Sequence, residues 1–241
     1  MDEAPRARLT RKETVAAGTM AFYFERPSGF SFEAGQNAFV TLVDAVEQDD
    51  LGPSRPFTFA SAPGEHELMI ATRMRDSAFK RALLSGAPGL EVTIAGPAGE
   101  MLLHEDASRP AVFIAGGIGI TPFLSMLRHA TAAPPRRSLT LFYSNRTPEE
   151  AAFLDELQAL EKRAADFRLV ATMTRPAASK RPWGGATARI SPELLARHAP
   201  KQERPVYYFA GPPEMTAAVQ FMLSDMGVAE KDMRFEEFYG Y

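Results

Sequence analysis

The chain of 241 residues contains no cysteine, and this absence removes several kinds of chemistry at once. Disulfide bonds, thiolate zinc sites, cysteine nucleophiles and cysteine-ligated iron–sulfur clusters all need a residue that the sequence lacks. The sequence also has no run approaching the ~18 apolar residues of a membrane span. The charged residues Asp2, Glu3, Arg6 and Arg8 precede no apolar stretch, so we expect no secretory signal and a cytoplasmic protein.

Net charge is small, at −3, but the charged residues are unevenly distributed along the chain. Residues 1–106 contain 10 Lys and Arg and 16 Asp and Glu, whereas residues 107–241 contain 17 and 14. Neither part is basic enough to indicate nucleic-acid binding. The asymmetry predicts two domains, 1–106 and 107–241, of which the second tolerates an anionic partner.

The first domain has the pattern of short antiparallel strands separated by Gly and Pro. Its strand segments are rich in aromatic and β-branched residues, and they are Thr19–Phe24, Ala38–Val43, Leu68–Met74 and Leu90–Ile94. Their spacing is typical of an antiparallel barrel or sandwich. One helix is predicted over Ala78–Leu84, with Ser77 as its N-cap and Gly86 as its stop. The acidic stretch Asp44–Pro53 is predicted to be a solvated loop.

The second domain alternates strands and helices, which is typical of a parallel sheet with helices on both faces. The predicted strands are Ala111–Ala115, Leu139–Ser144, Phe167–Met173, Val206–Ala210 and Met233–Phe238. The predicted helices are one with Pro122 in its first turn, Pro148–Lys162 with Thr147 as N-cap, Pro192–His198 and Pro212–Met226. The fold class is therefore an N-terminal antiparallel β-barrel followed by a doubly wound parallel-sheet domain, with the boundary near His104–Pro110.

A glycine-rich turn follows the first strand of the second domain and opens a helix. Glycines allow a phosphate-bearing ligand to approach the backbone, and the free amides and positive dipole at the helix start favour an anion. The candidate dinucleotide-binding residues of this turn are Gly116, Gly117, Ile118, Gly119, Thr121 and Pro122. A tight turn without a ligand explains the motif equally well, because Pro122 replaces the last glycine of the common G-x-G-x-x-G fingerprint.

A second turn rich in Gly and Pro follows a later strand and contains Gly211, Pro212, Pro213 and Met215. This turn too could be without a ligand. However, two such helix starts on one parallel sheet favour a shared ligand crevice at the carboxyl ends of the strands.

Two other strands are followed by arginine. Arg146 follows one of them, and Thr174 and Arg175 follow the next. A pair of this kind suits the 2′-phosphate of NADP, which needs a charged partner with several donors. Taken singly, each arginine is better explained as a solvated surface residue.

In the first domain, the segment of Arg55, Pro56, Phe57 and Thr58 combines a cation, a flat apolar ring and a hydroxyl. Strand alternation places Arg55 and Phe57 on one face and Thr58 on the other. Considered alone, the segment is an ordinary edge strand.

Together these motifs resemble the ferredoxin–NADP reductase superfamily, in the right order and over nearly the whole chain. The segment Arg55–Thr58 is similar to the family's flavin motif, Arg-x-Tyr-Ser/Thr, and Gly96–Gly99 is similar to the turn that closes its flavin barrel. The resemblance implies that Arg55 binds the flavin phosphate. It also implies that Thr58 is a catalytic residue that hydrogen-bonds near flavin N5.

The same resemblance assigns Ser77 as a flavin-phosphate ligand at a helix start. It implies that the aromatic chain end, with Phe238, Tyr239 and Tyr241, stacks near the flavin and controls the access of nicotinamide. Phe238 is the second residue that we assign a catalytic role. Packing in a core strand explains Phe238 equally well.

The glycine-rich turns resemble the family's pyrophosphate loop and the segment beside its nicotinamide. Two residues depart from the family pattern. Phe57 replaces a tyrosine, so the ring can still pack on flavin while the phenolic hydrogen bond is lost. Ala210 replaces a cysteine that lies near the hydride path. The resemblance therefore supports flavin and dinucleotide binding better than it supports fast hydride transfer.

The implied function is transfer of a hydride from NAD(P)H to bound FAD, and then of electrons to a separate acceptor. We expect FAD rather than FMN, NADPH rather than NADH, and a monomer. The acceptor is expected to be a ferredoxin or flavodoxin-type carrier or an oxygenase. The alternatives are a flavin or ferric-chelate reductase with a small-molecule acceptor, and a non-catalytic dinucleotide-binding module. The four histidines are scattered, so we expect no metal site.

The negative first domain also bears on the acceptor. We expect only weak, salt-sensitive docking of an acidic carrier, because like charges repel. The exception would be a local basic face formed by Arg6, Arg8, Arg11 and Lys12.

Overall fold

A computed structural model describes residues 4–43, 49–132, 134–200 and 204–239. Two six-stranded sheets make up the molecule, the first antiparallel and the second parallel. This arrangement confirms the predicted fold class. None of the helices in these ranges is long and apolar enough to cross a membrane.

The antiparallel sheet has the strand order β4-β3-β6-β1-β2-β5. Its elements are β1 (Arg6–Ala16), β2 (Thr19–Glu25), β3 (Asn37–Leu42), β4 (Ser54–Thr58), β5 (Glu67–Arg73), α1 (Ala78–Ser85) and β6 (Glu91–Ala98). An isolated bridge between Phe59 and Ile70 brings the two edges of this sheet together, so the sheet curls towards a barrel. The side chain of Ser77 accepts a hydrogen bond from Lys80 N at 3.2 Å, which confirms it as the N-cap of α1.

The parallel sheet has the strand order β10-β9-β8-β7-β11-β12. Its strands are β7 (Ala111–Gly116), β8 (Leu139–Asn145), β9 (Phe167–Met173), β10 (Ala186–Thr187), β11 (Val206–Gly211) and β12 (Met233–Glu237). Its helices are α2 (Ile120–Ala132), α3 (Leu154–Arg163), α4 (Pro192–His198) and α5 (Pro213–Asp225). Strands β7 and β11 are neighbours although three strands (β8 to β10) and three helices (α2 to α4) separate them along the chain, so the strand order reverses between them.

Two expectations about the elements are wrong. The helix predicted over Pro148–Lys162 is interrupted: Pro148–Glu150 is a 3₁₀ turn, and α3 begins only at Leu154. Phe153, at the N-cap position of α3, has a φ of 60°, which is incompatible with a continuous helix, and its ring is buried in the core. Thr147 makes no capping hydrogen bond through its side chain. Strand β1, with 11 residues, was not expected.

One hydrophobic core extends from the antiparallel sheet into the parallel one. It includes Ala60 and Met69 on the first side and Phe113, Phe123 and Met126 on the second, all of them buried. The core therefore fixes the two sheets against each other. The position of the domain boundary, near His104–Pro110, stays a prediction.

Candidate functional site

The glycine-rich turns after β7 and β11 lie side by side at the point where the strand order reverses. Gly117–Gly119 forms a 3₁₀ turn after β7, and α2 starts directly behind it. Pro213 begins α5 after β11. Open parallel sheets bind their ligands in the crevice at such a reversal, at the carboxyl ends of the strands.

The glycines of these turns are needed for close packing as well as for a ligand. A Cβ on Gly116 would overlap the sulfur of Met215, and a Cβ on Gly119 would overlap the carbonyl of Ala210. Gly117 is different, because its φ is +54° and an added Cβ would meet only the guanidinium of Arg73, at 3.9 Å. Gly117 is therefore the glycine of this turn whose backbone a ligand can approach.

A cleft of about 330 Å³ lies between the antiparallel sheet and this turn. The predicted site residues that line it are Arg55, Pro56, Phe57, Thr58, Ser77, Ile118, Thr121, Phe238 and Tyr239. The cleft therefore brings the flavin motif of the first domain and the glycine-rich turn of the second to one place. Tyr241 lies outside the described residues.

Arg55 is enclosed at the wall of this cleft, with 14% of its side chain exposed. Its Nη1 donates to the carbonyls of Leu51, Gly52 and Ser54, and its Nη2 pairs with the carboxylate of Asp49. Asp49 belongs to the stretch predicted to be a solvated loop, of which residues 44–48 lie outside the described residues. At Asp49 that prediction is wrong, because this carboxylate is engaged by two elements of the fold.

Phe57 and Arg55 both contact Phe79 of α1, so they lie on one face of β4 as alternation predicts. The ring centroids of Phe57 and Phe79 are 5.6 Å apart, and the Arg55 guanidinium lies 5.5 Å from the centroid of Phe79. These contacts hold the flat ring of Phe57 at the cleft wall.

Three cations that sequence reasoning missed, Arg73, Arg75 and Lys80, also line the cleft. Lys80 donates to the carbonyl of Arg73 at 2.8 Å. Burial, and then the nearby charges of Arg75 and Arg55, lower the pKa of Lys80 below its usual value. Cations that face one another across a cleft favour an anionic ligand there.

Thr58 is buried beside Glu236, a carboxyl group from β12. Glu236 Oε1 accepts a hydrogen bond from Asn37 at 3.1 Å, while Oε2 is buried without a partner among the described residues. Burial raises the pKa of Glu236 above its usual value, although the neighbouring Asn37 and Thr58 oppose this shift. Glu236 was not predicted as a site residue from the sequence.

The chain end reaches the cleft. Phe238 continues past β12, and its amide donates to the carbonyl of Gly211 at 3.0 Å. Its ring packs partly buried against the shared core and also lines the cleft, so the packing and the site interpretations both apply to it. Tyr239 is 76% exposed, and its hydroxyl donates to Glu237.

The two arginines proposed to bind a 2′-phosphate lie together but outside the cleft. The amide of Arg175 donates to the carbonyl of Arg146 at 2.8 Å, and both side chains are exposed. Thr174 Oγ1 donates to the carbonyl of Asn145 at 3.3 Å. Within the described part of the chain, neither arginine forms an ion pair, so both are free to meet a ligand.

The basic face considered on β1 is occupied by partners within the protein. Arg6 and Arg8 pair with Glu91, at 3.0 and 3.1 Å. Arg11 pairs with Glu67 at 3.1 Å, and Lys12 donates to two carbonyls. Two carboxylates therefore offset part of the positive charge of this strand.

Comparisons with known proteins agree with this geometry. Residues 113–220 match the model of the oxidoreductase NAD-binding domain family. The chain is 27% identical over 238 residues to the reductase component of propane 2-monooxygenase from Rhodococcus jostii, covering 97% of this chain and 63% of that protein. It is 29% identical to ferredoxin–NADP reductase B of Sorangium cellulosum, covering 96% of both chains.

Among solved structures, a ferredoxin–NADP⁺ reductase from Neisseria gonorrhoeae with bound FAD and NADP superposes with a TM-score of 0.82. It is 22% identical, and the match covers 99% of this chain and 100% of that one. The chain spans about three fifths of the length of the propane 2-monooxygenase reductase components. The chain therefore contains an oxidoreductase NAD-binding domain, and it is similar to ferredoxin–NADP reductases along nearly its whole length and in its two-sheet fold.

Proposed function

We propose that this protein is an NAD(P)H-dependent flavoprotein reductase that delivers electrons to a separate acceptor. The observation that carries this proposal is the single cleft lined by Phe57 and Thr58 on one side and by Ile118 and Thr121 on the other. A flavin ring held by the first pair would face a nicotinamide held at the turn of the second pair.

The residues of the cleft fit a flavin with a phosphate group. Lys80, Arg75 and the start of α1 supply positive charge at one end, and Arg55 lies at the adjacent wall. Phe57 supplies a flat apolar surface for a ring. A bound flavin would accept a hydride from NAD(P)H and pass electrons on to the acceptor. FAD is the proposed cofactor, as in the Neisseria protein.

The protein's own groups would position the reactants. Thr58 lines the cleft beside Glu236. Because burial raises the pKa of Glu236, this carboxyl group is the proposed proton-exchanging group beside Thr58. Phe238, which lines the same cleft, would cover the place where the nicotinamide stacks.

NADPH is the proposed coenzyme. Its pyrophosphate would bind at Gly117 and the start of α2, and its 2′-phosphate at Arg146 and Arg175. Both arginines are exposed and form no ion pair with the residues that the structure describes, which supports this assignment. The turn of Gly211, with Met215 packed behind it, would border the nicotinamide.

The acceptor is proposed to be a separate electron carrier or oxygenase component, since two of the similar proteins are named as reductase parts of monooxygenases. A monomer is proposed as the working state. An acidic carrier would dock weakly, because the cations of β1 already have partners.

An absorbance spectrum of the purified protein, followed by anaerobic addition of NADPH, tests the proposal. We expect a yellow protein that bleaches after NADPH is added and regains its colour with an added acceptor. A protein that neither retains nor takes up FAD, or whose colour persists with NADPH and NADH alike, would contradict it.

A further inference from the structure

The carboxylate of Asp49 lies between two groups that attract anions. Its Oδ1 pairs with the Arg55 guanidinium, and its Oδ2 accepts the backbone N–H of Ala78 in the first turn of α1, at 3.1 Å. A third hydrogen bond comes from the amide of Leu51, also at 3.1 Å. The carboxylate is thus bound as an exogenous anion would be, by a cation and a helix start.

These contacts use the donors that a phosphate would need. The Nη1 of Arg55 already donates to three carbonyls, so the donors left for an anion are on Nε and Nη2, and Asp49 is bound to Nη2. At the helix start, Ser77 accepts from the amide of Lys80 and Asp49 accepts from that of Ala78. A phosphate that bridges Arg55 Nη2 and the Ala78 amide would need the position that the carboxylate now fills.

We propose that Asp49 occupies the flavin-phosphate position of the protein and is displaced when flavin binds. This inference rests on the proposed function, which places the flavin phosphate at Arg55 and α1. Asp49 thereby stabilises the flavin-free protein and lowers its affinity for flavin. The exchange is one of anion for anion, so the charge of Arg55 is compensated in both states.

The proposal predicts that one substitution at Asp49 lowers the stability of the flavin-free protein and raises its affinity for FAD. Replacing Asp49 by Asn keeps the shape of the side chain but removes its charge. The flavin-free protein should then unfold at a lower temperature, because an ion pair and an ionic helix cap are lost. The same variant should bind FAD more tightly, on the order of tenfold, because the phosphate meets a neutral competitor.

The test measures the melting temperature of flavin-free protein and the Kd for FAD in the parent and in Asp49→Asn. Asp50→Asn is the matched control, since Asp50 is the exposed neighbour and its replacement changes the net charge equally. We expect the control to move both quantities little. If Asp50→Asn lowered the Kd for FAD as much as Asp49→Asn does, the cause would be long-range electrostatics, and this would overturn the proposal.

Weaker FAD binding by Asp49→Asn would also overturn it, because Asp49 would then be orienting Arg55 for the flavin rather than competing with it. An unchanged Kd would mean that the carboxylate and the phosphate occupy different positions.

Inorganic pyrophosphate provides a probe that needs no flavin. It should raise the melting temperature of flavin-free Asp49→Asn more than that of the parent, because the anion position is then open. Equal shifts in both proteins would contradict the displacement.

Arg55→Ala separates this inference from the proposed function. If Arg55→Ala retains FAD as well as the parent, the phosphate assignment itself is wrong. If Arg55→Ala loses FAD while Asp49→Asn binds it with unchanged affinity, the flavin site stands and only the displacement fails.

Discussion

Glu236 is a buried carboxyl group whose two oxygens have different surroundings. Oε1 accepts a hydrogen bond, whereas Oε2 is buried and finds no partner in the described parts of the chain. Ionising this carboxyl group costs desolvation free energy, and the hydrogen bond at Oε1 does not compensate for that cost. The folded protein therefore favours the protonated acid.

Glu236→Gln should raise stability at pH 8 and have little effect on it at pH 4. Because the folded-state pKa is raised, the stabilising contribution of the neutral acid is complete below the usual value of 4.5 and is lost as pH rises. Thermal unfolding of parent and variant from pH 4 to pH 8 measures this. Glu100→Gln, at a nearby exposed carboxylate, should show no such trend. A variant less stable at pH 8 would mean that the ionised form is the stabilised one.

Arg175 gives a second prediction for a single residue. Arg175→Ala should weaken NADPH binding by about 1.5–3 kcal/mol, the value of a hydrogen bond to a charged group, and leave NADH binding nearly unchanged. The KM values for both coenzymes provide the measurement. Arg168→Ala, at the other end of β9, is the control. Equal losses for NADPH and NADH would show that Arg175 does not contact the 2′-phosphate.

The sequence identified those site residues whose role depends on their immediate neighbours. Ser77 could be predicted as an N-cap because the helix that it caps follows directly. Glu236 could not, since its neighbours Asn37 and Thr58 lie about 200 and 180 residues earlier in the chain. Asp49 was missed for a related reason, because an acidic run looks solvated until the fold places a helix start against it.

Among the elements, the 3₁₀ turn before α3 is tied by a carboxylate to a segment distant in sequence. Glu149 lies in this turn, and its Oε1 accepts hydrogen bonds from Ser179 Oγ, Lys180 N and Arg181 N, at 2.8 to 2.9 Å. Bonds from its own amide and from that of Arg181 lower the pKa of Glu149 to about 2. This carboxylate therefore anchors the turn at residues 179–181.

Glu149→Gln should destabilise the protein at pH 7, and the difference from the parent should disappear at about pH 2. The folded-state pKa is depressed, so the stabilisation is present above the usual value of 4.5 and is lost as pH falls towards about 2. Urea unfolding of both proteins at several pH values measures it. Glu214→Gln, at an exposed helix start, is the control. If the difference in unfolding free energy between parent and variant stayed the same at about pH 2, the lost stability would come from packing rather than from the charge of Glu149.

Strand and helix periodicity predicted most elements but not β1 or the break before α3. Strand β1 carries Arg6, Arg8, Arg11 and Lys12, whose charges lower the apparent strand propensity. These side chains are exposed, and the arginines find Glu91 on the neighbouring β6 and Glu67 on β5, two strands away. Such pairings are made between strands distant in sequence, so no local pattern reveals them.

At the scale of the molecule, polar contacts join the two sheets around α2. Arg128 donates to Glu156 through Nε at 2.7 Å and lies 3.3 Å from Glu65 of the antiparallel sheet. Nearby, Ser125 Oγ donates to the carbonyl of Ser61 at 2.7 Å. These bonds supplement the shared apolar core.

Arg128→Ala should destabilise the protein by about 1–3 kcal/mol, because two partly buried carboxylates lose the cation that pairs with them. Chemical denaturation measures the change. Arg136→Ala, at an exposed arginine just beyond α2, should cost less than about 0.5 kcal/mol. If both variants lost the same unfolding free energy, the ion pairs of Arg128 would contribute no more to stability than an exposed arginine does.

The shared core also restricts how the two halves can be recombined. Gly35 is without a side chain because Met126 of α2 and the carbonyl of Met101 fill the space where a Cβ would stand. A chimera that joins residues 1–106 of this protein to the second half of a relative would need a residue of matching shape at position 126. Crossovers in this fold are therefore constrained by complementary pairs across the interface more than by the connecting segment itself.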